Sequence, residues 1–260
     1  MTVIDIQFSP ANADWPTVRT AAREAEARGY GAVWVLDHLA GLPLAGTTMI
    51  EAVALLGALA EATDTVELGT MVANVWNRQP GTLVTAIASV AHIADRQVHL
   101  GVGAGAKPGT RWAREQELVG ARPAPGLAER HARVVRVLDL VDAEWRDDRD
   151  ERWATFPLPR PRPTTIVGAN SPELASLAAE RADGINVQWR HPRRDEIIDA
   201  YEGRLGDRPF VRTTYTTFEP DLLDPAHPDR TAMAERGFDR LVLAVFDDLR
   251  PWLDDDVGPG

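Results

Sequence analysis

The feature that most constrains this chain is its alternation. Eight short strand-like runs, residues 3–8, 32–36, 66–71, 97–102, 164–167, 185–187, 210–218 and 240–246, are each followed by a stretch of helical pattern. The helical stretches are 16–28, 48–62, 80–94, 127–145, 172–182, 193–205, 232–236 and 247–253. Pro16 and Pro80 suit first helical turns, where a missing N–H costs nothing. Ile50, Val53, Leu55, Leu56 and Leu59 mark one apolar face, and Val134, Val135, Val137, Leu138 and Val141 another. Eight strand–helix units are the arithmetic of a (β/α)₈ TIM barrel, which commonly takes ~250 residues as one domain. A doubly wound sheet also alternates, but with fewer units. The chain of 260 residues is therefore expected to form one α/β barrel domain spanning 1–260.

Two connections are long. Residues 103–126 follow the fourth strand, on the face where barrel active sites form, and are expected to act as a lid. Residues 146–163 carry Pro157, Pro159, Pro161 and Pro163, lie on the opposite face, and read as surface structure.

Composition removes several functions. The absence of cysteine excludes a disulfide framework, a thiol nucleophile and a thiolate metal site. A formal net charge of −11 argues against nucleic acid and anionic membrane as partners. No apolar run approaches ~18 residues, and the first residues lack a basic segment followed by an apolar one. The expectation is a soluble cytoplasmic protein. No pair of histidines stands at metal-ligand spacing with carboxylates, so no metal is expected.

The candidate chemistry starts at residues 32–38. An apolar strand, buried on both faces, runs directly into Asp37 and His38. Those two residues fall at the carboxyl end of a barrel strand, where an acid beside an imidazole can orient the ring or raise its basicity. The same pair also fits a helix cap and a surface histidine. After the third strand comes Gly69-Thr70-Met71-Val72-Ala73-Asn74, where Gly69 suggests a bulge or a close backbone approach. Gly101-Val102-Gly103-Ala104-Gly105 lacks the spacing of a dinucleotide fingerprint, but it suits close approach to a flat ligand. Gly168-Ala169-Asn170-Ser171-Pro172 leads from strand five into a helix, whose first N–H groups favour a phosphate, although Ser171 alone can cap it. Gln188 and Trp189 follow strand six on the same face. His92, His99 and His131 lie within helices or a strand and read as packing or surface residues, and 254–256 reads as a solvated acidic end.

In order and spacing these segments, with Gly29-Tyr30-Gly31, Ala62-Thr63 and Ala182-Asp183-Gly184, resemble the bacterial-luciferase-like superfamily. Within it they are most similar to the branch that uses the deazaflavin coenzyme F420. The resemblance implies a TIM barrel that holds a flavin or deazaflavin at the carboxyl ends of its strands. It implies a bulged third strand with a non-prolyl cis peptide near Met71-Val72, and Asn74 beside the ring. It implies that Gly168, Ala169, Asn170 and Ser171 bind the phosphate-bearing tail and that Gly103 and Gly105 approach the cofactor. Asp37 would contact the deazaflavin and His38 would be the acid/base, while Lys107 and Arg111 would meet the anionic tail or the substrate. Some relatives carry an acid directly after the Gly103–Gly105 segment as a second catalytic group; here Ala106 and Lys107 follow. Some place an aromatic where Leu42 stands. The implied function is F420-dependent hydride transfer to or from a small organic substrate, by a homodimer. The alternatives are an FMN-dependent monooxygenase served by a partner reductase, and a non-catalytic flavin-binding protein.

Overall fold

The computed structural model describes residues 2–255 and 258–259, so part of the acidic end, Asp256, lies outside the described residues. Eight parallel strands close into a barrel in sequence order. They are β1 (Val3–Phe8), β2 (Ala32–Val35), β3 (Glu67–Asn74), β4 (Val98–Gly103), β5 (Thr164–Ala169), β6 (Gly184–Gln188), β7 (Val211–Thr217) and β8 (Arg240–Val245). Closure is made by β1 and β8, in register from Val3 opposite Arg240 to Phe8 opposite Val245. The helices are α1 (Trp15–Ala27), α2 (Ala52–Ala62), α3 (Pro80–Ala94), α4 (Arg114–Leu118), α5 (Leu127–Glu144), α6 (Pro172–Arg181), α7 (Arg194–Glu202), α8 (Pro228–Glu235) and α9 (Leu249–Asp254). Among the described residues no helix is long and apolar enough to cross a membrane.

The two faces of each strand differ in kind. On β1, Ile4, Ile6 and Phe8 join the main core shared with the helices, and Phe8 meets Trp252 of α9 edge to face at 5.1 Å. Burying each such side chain contributes roughly 1.5–3 kcal/mol. Asp5 and Gln7, one residue out of phase, turn to the barrel axis. There Asp5 meets Trp34 of β2, and Gln7 donates across the interior to the Met71 carbonyl of β3. A second, smaller core of Ala32, Trp34, Met71, Ile166 and Val242 fills the axis.

Three local outcomes depart from the sequence reading. α2 starts at Ala52, not Thr48, because Glu51 is extended and caps it, accepting from the Ala54 N–H at 2.8 Å. β3 runs on to Asn74, because its register against β4 shifts between Thr70 and Ala73; the Met71–Val72 peptide there is cis. The connection 103–126 contains α4, a five-residue helix with no apolar periodicity to announce it.

Candidate active site

β2 stops at Val35, and Leu36, Asp37 and His38 carry the chain over the carboxyl rim. The Asp37 side chain has no exposed surface. Arg78 grips it with two hydrogen bonds, Nη1 to Oδ2 at 2.7 Å and Nη2 to Oδ1 at 2.8 Å, and the Asn74 N–H donates to Oδ2 at 2.8 Å. Arg78 also donates from Nε to Glu51 at 2.7 Å. Burial works against the Arg78 charge, but the bonds and charges of Asp37 and Glu51 outweigh it and hold the guanidinium firmly protonated. Asp37 thereby anchors the rim loop while still lining the cavity described below. A buried aspartate needs a paired cation, and only the folded chain brings Arg78 to it.

His38 is differently placed. Its side chain is 19% exposed, and Nδ1 lies 2.7 Å from Glu115 Oε1. Glu115 comes from α4 and is 2% exposed. Its Oε1 also accepts from Gln116 Nε2 at 2.9 Å, and Oε2 accepts from the Leu39 and Ala40 N–H groups, both at 2.9 Å. Burial raises the carboxyl, but the bond from His38, that ring's charge and the two amides together prevail, holding Glu115 below the ordinary glutamate range. Sequence reading missed this residue. Ala106 does follow the glycine segment, as noted, but an acid nine residues further on reaches the imidazole instead. Its only advance signal was an acid within the expected lid.

The bulge in β3 explains the glycines. A Cβ on Gly103 would lie 2.5 Å from Val72 Cγ2, and one on Gly168 would lie 2.8 Å from Val72 Cγ1. A Cβ on Gly101 would lie 2.1 Å from the Thr70 carbonyl oxygen. These glycines therefore make room for the bulge and for Val72. Gly69 is set by Trp34, whose ring would stand 2.6 Å from an added Cβ. Gly105 combines φ +73° with an approach of 2.7 Å to Asn74 Oδ1, and only glycine suits both. Asn74 turns that oxygen to the Trp76 N–H at 3.0 Å.

These elements enclose a cavity of about 420 Å³ at the carboxyl end of the barrel. The expected residues Asp37, His38, Met71, Val72, Asn74, Gly103, Gly105, Gly168, Ala169 and Asn170 all line it. Lys107 and Ser171 are not among its lining residues. Lys107 is exposed in a turn closed by Thr110 at 2.8 Å, and the Ser171 hydroxyl caps α6, accepting from the Leu174 N–H at 3.3 Å. Arg111 lies over the Trp112 ring at 4.2 Å, outside the lining. Trp189 packs against Phe238 in the core, so of the pair after β6 only Gln188 reaches the cavity. Lining residues that the sequence did not single out include Trp112, Arg130 and Tyr215. Arg130 lines the cavity, and its Nε is buried with no hydrogen-bond partner. Such a donor and a glycine-lined wall fit a flat cofactor with an anionic tail. Among the described residues no cluster of three or more His, Asp or Glu could hold a metal ion.

A family model described as luciferase-like monooxygenase matches residues 2–205. An F420-dependent glucose-6-phosphate dehydrogenase of Beutenbergia cavernae is 32% identical over 170 residues, covering 62% of this chain and 48% of that protein. A protein of the same description from Segniliparus rotundus is 31% identical over 238 residues, 88% of this chain and 64% of that one. The chain thus spans less than two thirds of the length of either relative. Among solved structures, an F420-dependent secondary alcohol dehydrogenase in complex with an F420-acetone adduct superposes with a TM-score of 0.76 at 18% identity. That match covers 98% of this chain and 97% of the other, a likeness of fold.

Proposed function

The chain belongs to the luciferase-like monooxygenase family, and from that premise we propose that it is an F420-dependent oxidoreductase acting on a small organic substrate, with His38 as acid/base. One observation carries the reading: an imidazole borders the cavity with its Nδ1 committed to a buried carboxylate. A ring held in that way keeps its proton on Nδ1 and leaves Nε2 basic. The naming of both curated relatives as F420-dependent supports the choice of cofactor.

A bound deazaflavin supplies hydride acceptance or donation, which is the chemistry of the cofactor and not of the chain. The chain's residues bind, orient and handle the proton. Met71 and Val72 would form the wall that holds a planar ring, with Gly103 and Gly168 packed against Val72. Asn170, Gly168, Ala169 and the Arg130 guanidinium would hold the anionic tail. In the oxidative direction His38 Nε2 accepts the proton of a substrate hydroxyl, and in the reductive direction it returns one. Trp112 and Leu127 at the rim limit water.

Fluorescence titration of the purified protein with coenzyme F420, and separately with FMN, tests this reading. Binding of F420 in preference to FMN is expected and opens a screen of alcohols, aldehydes and enones. Preference for FMN moves the function to an oxygenase that needs reduced flavin. A folded protein that binds neither overturns both.

A further inference from the structure

We propose that Glu115 is the positioning residue of His38: from α4 it fixes the imidazole as the Nδ1–H tautomer, and the same carboxylate clips the lid to the loop that bears the ring. The proposal rests on the acid/base reading of His38, but its decisive test needs no cofactor.

A carboxylate accepts and does not donate. Oε2 is occupied by two consecutive backbone N–H groups, those of Leu39 and Ala40, at 2.9 Å each. Oε1 is thereby turned to His38 Nδ1 at 2.7 Å, and the proton of that bond must come from the ring. The lone pair then sits on Nε2, on a residue that lines the cavity. A helix of five residues has little stability of its own, so α4 owes its place to such bonds. Gln116 adds a second tie, donating to Asn77 Oδ1 at 2.7 Å, while Asn77 Nδ2 donates to the Asp37 carbonyl at 3.0 Å. Lid, His38 loop and β3 loop are therefore linked through adjacent residues of α4.

The isosteric change Glu115→Gln separates positioning from packing. The two backbone N–H groups require an oxygen in the place of Oε2, so the new NH₂ must face His38 Nδ1 and donate to it. That transfers the lone pair to Nδ1 and the proton to Nε2. Gln116 Nε2 loses its bond to the Oε1 position and keeps the one to Asn77 Oδ1. The fold stays and the tautomer inverts.

The experiment is a long-range ¹H–¹⁵N correlation spectrum of the histidine rings at a pH of about 9, where imidazole is neutral. The His38 signals are assigned by their loss in His38→Gln. The wild type is expected to show Nδ1–H, Glu115→Gln to show Nε2–H, and Glu115→Asp to keep Nδ1–H with faster amide exchange at Leu39 and Ala40. With F420 and a substrate from the screen, Glu115→Gln should lower the hydride-transfer rate on the order of 10²-fold or more while cofactor affinity holds. An Nε2–H tautomer in the wild type, or Nδ1–H retained in Glu115→Gln, overturns the proposal; if that variant does not fold, the wild-type spectrum alone decides. The expected tautomers in a protein that ignores F420 would leave Glu115 in its role and remove the functional reading.

Discussion

The two ends of this barrel carry nearly the same set of groups. At the carboxyl end Arg78 grips Asp37 and His38 meets Glu115; at the amino end Arg240 grips Asp5 and His99 meets Glu67. The distances match closely: 2.7 Å for both arginine–aspartate pairs, with 2.7 and 2.8 Å for the histidine–glutamate pairs. What differs is access. His99 is stacked on Trp34 at 4.9 Å and its side chain is only 5% exposed, with Nδ1 sealed off and unpartnered. His38 borders a cavity. The amino-end set is cross-linked, since Arg240 reaches both Asp5 and Glu67. A histidine–carboxylate pair is therefore a structural tie or a proton-handling device according to what its free nitrogen can reach.

The sharpest way to break the comparison is to remove each histidine. His38→Ala should lower turnover by about 10²–10⁴-fold, the usual worth of a general acid/base, with F420 still bound. His99→Ala should leave turnover per folded molecule near wild type and lower the melting temperature. Single-turnover hydride transfer set beside thermal melts reads both, and equal activity losses would erase the distinction.

Next in size is the loss of an arginine. Arg240→Ala leaves Asp5, which is fully buried, without its cation, and should cost about 3–5 kcal/mol in urea unfolding. Arg78→Ala should cost a comparable amount, because each aspartate keeps one other donor, the Asn74 N–H for Asp37 and the Trp34 indole N–H for Asp5. It should also loosen the rim loop and raise the F420 dissociation constant.

Smaller effects come from the glycines around Val72. Gly168→Ala sets a Cβ 2.8 Å from Val72 Cγ1 and should cost about 1–3 kcal/mol as overpacking. Val72→Ala in the same chain should restore part of that, by a double-mutant cycle in urea. A full, additive loss would mean that Gly168 does not make room for Val72.

The smallest effect is in acid, and here the ends should move in opposite directions. Bonds hold Glu115 below the ordinary glutamate range, so its contribution is present above the unfolded-state value and is lost as pH falls through the lower folded one. Burial pushes Asp5 above the ordinary range despite Arg240 and Trp34, so stability is lost as pH rises from the unfolded-state value through the raised folded one, and acid restores it. The stability gap between wild type and Glu115→Gln should shrink on acidification, whereas the gap between wild type and Asp5→Asn should shift in favour of wild type. Melting temperatures from about pH 7 down to about 2, through and below the unfolded carboxylate range, check both signs.

Much of this was legible in the chain. Eight units, the end of the barrel at which Asp37 and His38 emerge, and the kinship of ordered glycine segments all follow from local pattern, because strand and helix periods are written along the sequence. The roles of the glycines were not legible, since Gly103 and Gly168 answer to a valine on another strand. Nor was the orientation of Asp37: adjacency to His38 gave it a place on the rim but not a direction, which Arg78 decides from across a helix connection.

The sequence by itself determined the alternation, and with it the barrel and the face that carries chemistry. Only the tertiary structure decided which acid serves the imidazole. Glu115 stands 77 residues from His38 in a short helix without periodicity, and no local rule selects it over the chain's other carboxylates. A hydrogen bond depends on angstroms in space, and closure of the barrel is what turns that separation into 2.7 Å.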